Sequence, residues 1–535
     1  MLNIVTKRPG VAISEVAFSL GDDGKRRATL DFGGGANQVL SYRLNAALEN
    51  SETFRDYVNN KTNFIAPSLR LKFSPQTNVD LNAEFGKRRA AFDRGFPLSL
   101  NFPVLSVDAS RFLGEPEGRF DNTSKAGNIM LHHALSDGTK FRLGIASNNA
   151  TSTGDYFFPV GTTPLISNAG VVSRRRQETQ DTNKDTTLVA EAAGRANWGG
   201  VSHKWLVGLE RNTSLEDSVI SRATVNALLD INNPSYGAIR SPATAPVLSS
   251  AVRNRTTALV LQDEVALNSE WRITIGARHE KIKSSFADRV NRITRESAVS
   301  ATTWRTGVSW LPTPTTVLFG NYSESFSPEV TARGLVDGAN PVPSRGEQWE
   351  VGLREDFLNN RLQVSAAVFE INRSNVRVAE PAPSVLDKQV GSQRARGVEL
   401  EISGRPTPQW QVVSSISTLN ANIVNDTTAL AGKRFNGVPR TTAALWNRYD
   451  ISQSIALGAG ITYVGNRFAD PLNTLSLPAY TRWDFAGFGK ITPAISWQVN
   501  LLNAFNKIHF VNGNTNGNFY AGQPRTLRLA LTTRF

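Results

Sequence analysis

The sequence predicts an all-β fold: a large antiparallel transmembrane β-barrel of about 22 strands with short periplasmic turns and long extracellular loops. Three observations lead to it: apolar and polar residues alternate along the chain, the connections alternate in length, and aromatic residues collect near the short connections. The 535 residues contain no run of about 18 apolar residues, which excludes a spanning helix. The mean hydropathy of −0.27 resembles that of a soluble protein, because a hydropathy scan misses strands that are apolar on one face only.

Alternation with a period of two is the first observation. In "VDLNAEFG", which begins at Val79, apolar side chains fall on one face of an extended chain and polar side chains on the other. The same alternation recurs in "WRITIGARHE" from Trp271, "AISWQVNL" from Ala494 and "TLRLALTTRF" from Thr526. Such segments recur about 22 times, each near the ~9–11 residues with which a tilted strand crosses a bilayer. A soluble propeller or solenoid would need a repeat of fixed length, which the sequence does not show.

The connections between these segments alternate between short and long. The short ones are rich in Gly, Pro, Asn and Ser, as tight turns require. They are Ser74–Asn78, Ser136–Gly138, Gly199–Gly200, Leu311–Thr315, Leu358–Asn360 and Arg405–Gln409. The long polar insertions are roughly residues 86–119, 148–183, 214–252, 322–346 and 504–525. This alternation is typical of an up-and-down barrel in the outer membrane of a Gram-negative cell.

Aromatic residues mark one end of the predicted strands. Segments that leave a short turn begin with Trp, and segments that approach one finish with Trp or Phe. Soluble-core aromatic residues would have no reason to collect at one end, whereas an interfacial girdle requires it. The predicted periplasmic girdle consists of Phe32, Phe73, Trp205, Trp271, Trp310, Trp410, Trp497 and Phe535.

Composition excludes several classes of function. The net charge is +13, but the Lys and Arg residues are scattered along the chain, so we expect no nucleic-acid partner. The absence of cysteine excludes disulfides, thiolate metal sites and cysteine nucleophiles. The five histidines are dispersed, and adjacent His132 and His133 would point to opposite faces of a strand, so we expect no metal site. No catalytic motif is present, "GGG" (Gly33–Gly35) is expected to be a turn, and we expect no enzymatic activity.

The long insertions contain the candidate ligand-binding residues, which mix aromatic rings with arginines. Aromatic side chains supply rigid contact area and arginines attract anions, a combination suited to a bulky, anionic or aromatic small ligand at a pore mouth. The candidates are Phe92, Arg94, Phe96, Tyr156, Phe157, Phe158, Arg174, Arg175 and Arg176. The alternative is that these loops pack on themselves, or that the arginines contact lipopolysaccharide phosphates.

Several motifs resemble the TonB-dependent outer-membrane receptors, specifically the ferric-siderophore branch. "NIVTKRPG" (Asn3–Gly10) is similar to the segment that ends that family's N-terminal plug and leads into the first barrel strand. Three stretches are similar to the family's central barrel signatures: "NYSESFSPE" (Asn321–Glu329), "GEQWEVGLREDFLNNRLQVSAAVFEINRSNV" (Gly346–Val376) and "RARGVELEISGRPTPQWQ" (Arg394–Gln411). Two stretches are similar to its closing hairpin: "LLNAFNKIHF" (Leu501–Phe510) and "GQPRTLRLALTTRF" (Gly522–Phe535). The resemblance covers essentially the whole chain in the family's order.

The resemblance implies a receptor that transports ferric siderophores, with residues 1–9 as a remnant of the plug and residues 10–535 as the barrel. It implies no cofactor, because the iron arrives chelated. The implied partners are the siderophore, outer-membrane lipid and lipopolysaccharide, the assembly machinery that reads Phe535, and a TonB complex reached only through a region preceding Asn3. Signal peptide, TonB-contacting box and most of the plug would also precede Asn3, so we expect a plugless barrel that does not perform energised uptake alone.

Two alternative functions remain open at the level of sequence. A wide barrel with a polar lumen could act as a passive outer-membrane diffusion pore. A receptor of the same family could instead take haem, cobalamin or a carbohydrate, because the family's ligand contacts come from scattered loop positions with no fixed motif.

Overall fold

The computed structural model describes residues 6–97, 107–135, 138–160, 166–238, 242–243, 245–329, 335–339, 341–379, 386–513 and 518–535. Their strands are β1 Ile13–Gly21, β2 Arg26–Gly35, β3 Leu40–Glu52, β4 Asn59–Lys72, β5 Thr77–Ala90, β6 Phe96–Pro97, β7 Arg119–Ala134, β8 Lys140–Pro159, β9 Val171–Trp198, β10 Val201–Asp230, β11 Pro246–Ala266, β12 Trp271–Asp288, β13 Ile293–Trp310, β14 Thr316–Ser327, β15 Ser344–Phe357, β16 Leu362–Ala379, β17 Asp387–Gly404, β18 Trp410–Asn425, β19 Thr441–Asp450, β20 Ile455–Val464, β21 Arg467–Phe468, β22 Ser476–Leu477, β23 Tyr480–Lys490, β24 Ile495–Leu502, β25 Phe510–Gly513, β26 Asn518–Ala521 and β27 Thr526–Arg534. Within these ranges no helix is long and apolar enough to cross a membrane.

A 22-stranded antiparallel sheet dominates the fold. Each of its strands pairs with the next one along the chain, and β1 pairs with β2 on one side and with β27 on the other. Pairing between the first and last strands closes the sheet into a barrel, which removes the open edge that lipid would leave unsatisfied. The predicted antiparallel barrel of about 22 strands is confirmed.

Alternate residues of each strand face the lumen and the outside. On β27, Leu529 and Leu531 are exposed on the outer face, whereas Arg534 faces the lumen and donates to Glu15 of β1 at 2.8 Å. Further lumen ion pairs join Arg70 to Asp80, Arg142 to Glu191, Arg278 to Glu210 and Arg482 to Asp484. An apolar exterior around a charged interior is the pattern of a barrel in lipid with a wet lumen.

Several strands are much longer than the segments of 9–11 residues that the sequence predicts. β9 has 28 residues and β10 has 30, and they pair continuously except for one irregularity near Arg222. Since a tilted strand crosses the hydrocarbon in ~9–11 residues, most of this hairpin extends beyond the membrane on the side of the long connections. The insertions predicted at 148–183 and 214–252 are therefore wrong in extent, because they are mostly strand. A strand with polar residues on both faces shows no alternation, so its sequence resembles that of a loop.

Two other boundaries also differ from prediction. The insertion predicted at 322–346 shrinks to the residues between β14 and β15, because both strands extend into it. Gly33–Gly35, predicted as a turn, instead ends β2 and pairs with β3. A Cβ at Gly33 would lie 3.0 Å from the carbonyl oxygen of Tyr42, so this glycine serves a close strand approach.

The connections at the long-loop end pack into a buried apolar cluster. β6 pairs with β26, which joins the connection after β5 to the connection after β24. The cluster consists of Phe96, Leu113, Ile166, Val172, Leu229, Ile231, Ala469, Leu477, Phe510, Phe519 and Ala521. Its members come from connections that are far apart in sequence and, for Val172 and Leu229, from the outer ends of β9 and β10, so the connections form one folded layer over part of the barrel mouth.

The segment before β1 is tied to the inner wall near the short-turn end. Lys7 Nζ donates to Asp31 at 2.7 Å, Arg43 binds the same carboxylate at 2.8 Å, and Arg43 Nη1 donates to the carbonyl oxygen of Arg8 at 3.2 Å. Residues 1–5, which include Asn3 to Val5 of the segment predicted to end a plug, lie outside the described residues. The domain boundary between residues 9 and 10 stays a prediction.

Candidate functional site at the long-loop mouth

The inner face of the barrel carries aromatic rings and arginines at the end of the long connections. This mouth cluster consists of Phe92, Arg94, Phe120, Tyr156, Phe158 and Arg222. Residues two apart on a strand share a face, so Tyr156 lies on the same face of β8 as the lumen residue Arg142. Strand register continues this face, because Tyr156 lies opposite Gln177, which in turn lies opposite Arg222.

Ring contacts hold the mouth cluster together. Phe92 stacks on Tyr156 with ring centroids 3.6 Å apart and planes 19° apart. The Arg94 guanidinium lies 4.6 Å from the ring centroid of Phe158, and that of Arg222 lies 5.9 Å from the same ring. Aromatic faces attract cations through their quadrupole, so the rings position both arginines at the lumen surface. Across the described parts of the chain, Arg94 makes no ion pair with a carboxylate.

A chain of hydrogen bonds connects the three strands under this cluster. Arg222 Nε donates to Gln177 Oε1 at 2.9 Å, and Gln177 Nε2 donates to the Tyr156 hydroxyl at 2.8 Å. Burial raises the pKa of Tyr156, so its phenol stays neutral and keeps its proton. The cluster therefore presents positive charge from its arginines and no phenolate, which suits an anionic or aromatic ligand.

The opposite face of the β8–β9 hairpin binds the extracellular connections to the hairpin. Arg174 is fully buried there, and its Nη2 donates to Glu115 Oε1 at 2.7 Å while its Nη1 donates to the Gly114 carbonyl oxygen at 2.5 Å. The other oxygen of Glu115 accepts from the Gly237 amide at 2.8 Å. These bonds fasten the connection between β5 and β7 to the hairpin and to the connection after β10.

The structure separates the candidates that the sequence groups together. Four of them meet in the mouth cluster, namely Phe92, Arg94, Tyr156 and Phe158. The prediction that Tyr156–Phe158 and Arg174–Arg176 share a loop is wrong, because they lie in β8 and β9 and pair across the hairpin. Ligand contact by each of these residues stays a prediction.

The remaining candidates have protein partners. Phe157 and Arg174 share the buried face opposite the cluster, with Arg174 5.8 Å from the ring. Arg176 pairs with Asp155 at 2.9 Å, and Arg175 donates to Asn226 at 2.9 Å. Phe96 belongs to the apolar loop cluster. The alternative of loop self-packing therefore describes Phe96, Phe157 and Arg174, and it applies also to the rings of Tyr156 and Phe158, which are 4% and 6% exposed.

Sequence reasoning missed Phe120, Gln177 and Arg222. Each lies on a strand that continues past the membrane, where the alternation that identifies a face has polar residues on both sides. Every second residue of a strand faces the same side, so counting along each strand from its short turn would have placed all three residues on the lumen side. The described residues contain no group of three or more His, Asp or Glu arranged to hold a metal ion.

Comparison with known proteins now identifies the barrel. The family model described as "TonB dependent receptor-like, beta-barrel" matches residues 27–506. The chain belongs to the TonB-dependent receptor family. Its members are receptors and transporters of the outer membrane, so the long connections of this receptor barrel are extracellular and its short turns periplasmic.

Proteins similar to the receptor barrel are named as receptors or transporters. It is 28% identical to the metal-pseudopaline receptor CntO of Pseudomonas aeruginosa, over all of this chain and 77% of the relative. It is 25% identical to the ferrichrome outer membrane transporter/phage receptor of Escherichia coli, over all of this chain and 76% of the relative. The crystal structure of the siderophore receptor PiuA from Acinetobacter baumannii has the same fold, with a TM-score of 0.90 at 19% identity, over all of this chain and 82% of that chain.

The predicted girdle residues of the receptor barrel share one position. Trp271 and Trp310 face each other at the start of β12 and the end of β13, with ring centroids 5.7 Å apart. Phe32, Phe73, Trp205, Trp410, Trp497 and Phe535 also lie on the outer face near periplasmic turns or the chain end. Contact of these rings with the lipid interface stays a prediction. The sequence missed an exposed aromatic set at the other end of the apolar band, which includes Trp304 and Trp349.

Proposed function

We propose that this chain is the barrel and loop portion of an outer-membrane TonB-dependent receptor that takes up ferric siderophores. One observation carries the proposal: in a barrel of this family, the lumen face of the extracellular mouth has half-buried Phe92 and Arg94 packed on the buried rings of Tyr156 and Phe158. The printed functions of the relatives, which include metal-pseudopaline and ferrichrome receptors, support the same class of ligand.

The chemistry of the mouth cluster suits a ferric chelate. Such a ligand is bulky, and its metal is already fully coordinated by the chelator, so the receptor needs shape and charge complementarity in place of metal-ligating side chains. Arg94 offers guanidinium donors for anionic oxygens, Arg222 adds positive charge beside it, and Phe92 offers a flat ring for aromatic or aliphatic parts of the chelator. Iron is the cargo, and the proposal includes neither a resident cofactor nor an enzymatic reaction.

The remaining partners belong to the same proposal. Energised transport would use a TonB complex that acts through the N-terminal region of a complete receptor, and insertion would use the assembly machinery that reads the terminal Phe535. The surrounding partner would be outer-membrane lipid and lipopolysaccharide.

Ligand binding tests the function directly. The 535-residue chain, purified in detergent, would be titrated with ferric hydroxamate and ferric catecholate siderophores and with metal-pseudopaline, following quenching of tryptophan fluorescence. We expect one of these classes to bind, and the double variant R94Q/R222Q to weaken that binding about tenfold or more. The matched control is R289Q, which removes an extracellular arginine paired with Asp217 on the outer face. Equal binding by R94Q/R222Q and the control would place the ligand site elsewhere, and failure of every chelate class to bind would contradict the proposed function.

A further inference from the structure

The described residues include four arginines that are at least nine-tenths excluded from solvent. One of them, Arg467 of β21, is 2% exposed and forms no ion pair with a described carboxylate. The other three are each paired, which is how this chain compensates a buried guanidinium elsewhere. These pairs are Arg43 with Asp31 at 2.8 Å, Arg55 with Asp93 at 2.5 Å and Arg174 with Glu115 at 2.7 Å.

The fold uses only part of the hydrogen-bonding capacity of Arg467. Its Nη2 donates to the carbonyl oxygen of Phe510, whereas Nε and Nη1 are buried and have no acceptor among the described residues. The guanidinium also lies 5.8 Å from the ring centroid of Tyr480, which is a cation–π distance. A neutral carbonyl and an aromatic ring compensate a buried positive charge only in part.

Deprotonation does not remove this charge. Burial lowers the pKa of Arg467 from its usual 12.5, but a guanidinium remains protonated in proteins at physiological pH. An ion held in the protein interior without a counter-charge is strongly unfavourable. A folded connection that encloses Arg467 therefore needs an anion beside it.

Two carboxylates of the same region are already occupied. Asp470, on the same connection, accepts from the Thr474 amide at 2.9 Å and from the Thr474 hydroxyl at 3.0 Å. Asp484 of β23 accepts from Arg482 at 2.8 Å and from the Asn503 amide at 2.7 Å. The buried guanidinium pairs with neither of them, so the described carboxylates leave its charge uncompensated.

A second arginine adds positive charge to the same region. Arg434, in the connection between β18 and β19, lies 5.6 Å from the ring centroid of Phe468, the residue that follows Arg467 in β21. Its Nε is buried without an acceptor among the described residues, and it forms no ion pair with a described carboxylate. The two connections are joined directly, because the Gly437 amide donates to the Phe468 carbonyl oxygen at 2.7 Å. Enclosed positive charge of this kind attracts anions.

We propose that Arg467 binds a small inorganic anion, with chloride as the occupant, inside the folded extracellular connection between β20 and β23. The anion would accept from the unused N–H groups and supply the charge that Glu115 supplies to Arg174. Enclosure limits its size, because Arg467 lies opposite the fully buried Leu477 and bonds to Phe510, which is 7% exposed. A monatomic anion suits such a position, and a bulky ligand does not. The inference holds whichever chelate the lumen carries.

Hydrogen exchange in matched salts tests the proposal. Exchange of residues 465–480 would be measured on the detergent-purified chain in sodium gluconate, sodium chloride and sodium bromide at equal concentration. Gluconate keeps the ionic strength and is too large to enter the connection. The test variant R467M replaces the guanidinium by an apolar side chain of similar length. The control R289Q removes an exposed arginine that pairs with Asp217.

The halides are expected to slow exchange of residues 465–480 about tenfold relative to gluconate in the wild-type chain and in R289Q. This is the mass-action effect of a ligand present at roughly ten times its Kd. R467M is expected to exchange at one rate in all three salts, because it has no buried charge to compensate. Equal wild-type rates in the three salts, or an undiminished halide effect in R467M, would overturn the proposal, as would loss of the effect in R289Q.

Bromide also locates the anion without a variant. Crystals of the wild-type chain grown in sodium bromide are expected to show an anomalous scattering peak against the Arg467 guanidinium. This measurement decides the question if R467M does not fold. The lack of a peak at Arg467, with bromide bound at other positions on the same chain, would overturn the proposal.

Discussion

Arg174 and Glu115 form an ion pair at 2.7 Å in which both side chains are almost completely excluded from solvent. The two residues are far apart in sequence, one on β9 and one in the connection before β7, and their contact fastens that connection to the long extracellular hairpin. Removing one partner of such a buried pair destabilises the fold much more than the intact pair stabilises it, because the other charge is left buried without a partner.

We therefore predict that Arg174→Gln releases the connection between β5 and β7. The Glu115 carboxylate would remain buried without a partner, which costs about 3–5 kcal/mol. This cost exceeds the free energy of local opening of a surface connection, so the connection would open. Hydrogen exchange of residues 107–118 measures the effect, and we expect loss of protection there with the barrel strands unchanged. R289Q, which breaks an exposed pair, is the control and is expected to leave exchange as it was. Unchanged protection in R174Q would contradict the fastening role.

Gly489 and Trp497 provide a second prediction, about packing on the outer face near the periplasmic end. A Cβ at Gly489 would lie 2.3 Å from the indole of Trp497, which stands opposite it in the strand register. Gly489→Ala would force the indole from its place, at about 1–3 kcal/mol. Urea unfolding of the detergent-purified chain measures this loss. Gly320→Ala is the matched control, because it is also an outward strand glycine and its nearest neighbour would be 4.0 Å away. Equal unfolding midpoints for the two variants would refute the prediction.

Asp31 provides a third prediction, about the segment that enters the lumen. Its carboxylate joins Lys7 of that segment to Arg43 of the wall. Asp31→Asn would remove the charge that holds both cations, so residues 6–12 should exchange amide protons faster. Glu210→Gln is the control, because it breaks the lumen pair with Arg278, which lies on strands that do not border the segment. The expected result is faster exchange in D31N alone, and similar rates in both variants would show that the pair with Lys7 does not hold the segment.

His509 provides a pH-dependent prediction in the extracellular connection after β24. Burial lowers the pKa of His509 below its usual 6.5. The hydrogen bond to the Lys507 carbonyl oxygen opposes this, Arg482 and Arg467 lower the pKa further, and Asp484 raises it. Because the unfolded imidazole binds a proton at higher pH than the folded one, the connection is most stable above pH 6.5. It loses stability as the pH falls from 6.5 toward the lower folded pKa.

The measurement compares urea unfolding at pH 7.5 and pH 5.5. We expect the wild-type chain to be less stable at the lower pH and His509→Gln to lose part of that difference. Nδ1 of His509 donates to the Lys507 carbonyl oxygen at 2.9 Å, a bond that the Gln side-chain amide can replace. An identical pH dependence in both proteins would assign the effect to other groups.

Much of the fold could be predicted because one face of each membrane strand must be apolar. That requirement produced the alternation in "TLRLALTTRF", where the leucines now lie outward and the arginines inward. The prediction of strands failed where the strands leave the membrane, because water solvates both faces there and apolar and polar residues no longer alternate. Residues 171–183 of β9 have the composition of a loop for this reason, although residues 174–183 pair with β8 and all but Arg176 pair with β10.

The candidate site was predictable only in its composition. Aromatic and arginine residues stood out near Phe92 and Tyr156, but their grouping depended on strand register above the membrane. Register placed Tyr156 toward the lumen and its neighbour Phe157 toward the buried loop layer, because successive side chains of a strand point to opposite faces. The same rule brought in Arg222, which no local pattern had singled out.

The sequence alone determined the closed antiparallel barrel, its membrane orientation and its family, because lipid imposes a repeating constraint that every spanning strand records. Only the tertiary structure decided that Arg94 and Arg222 lie at the lumen surface whereas Arg174 is buried against Glu115. Those assignments depend on pairings between strands distant in the chain, and no local stretch of sequence carries them.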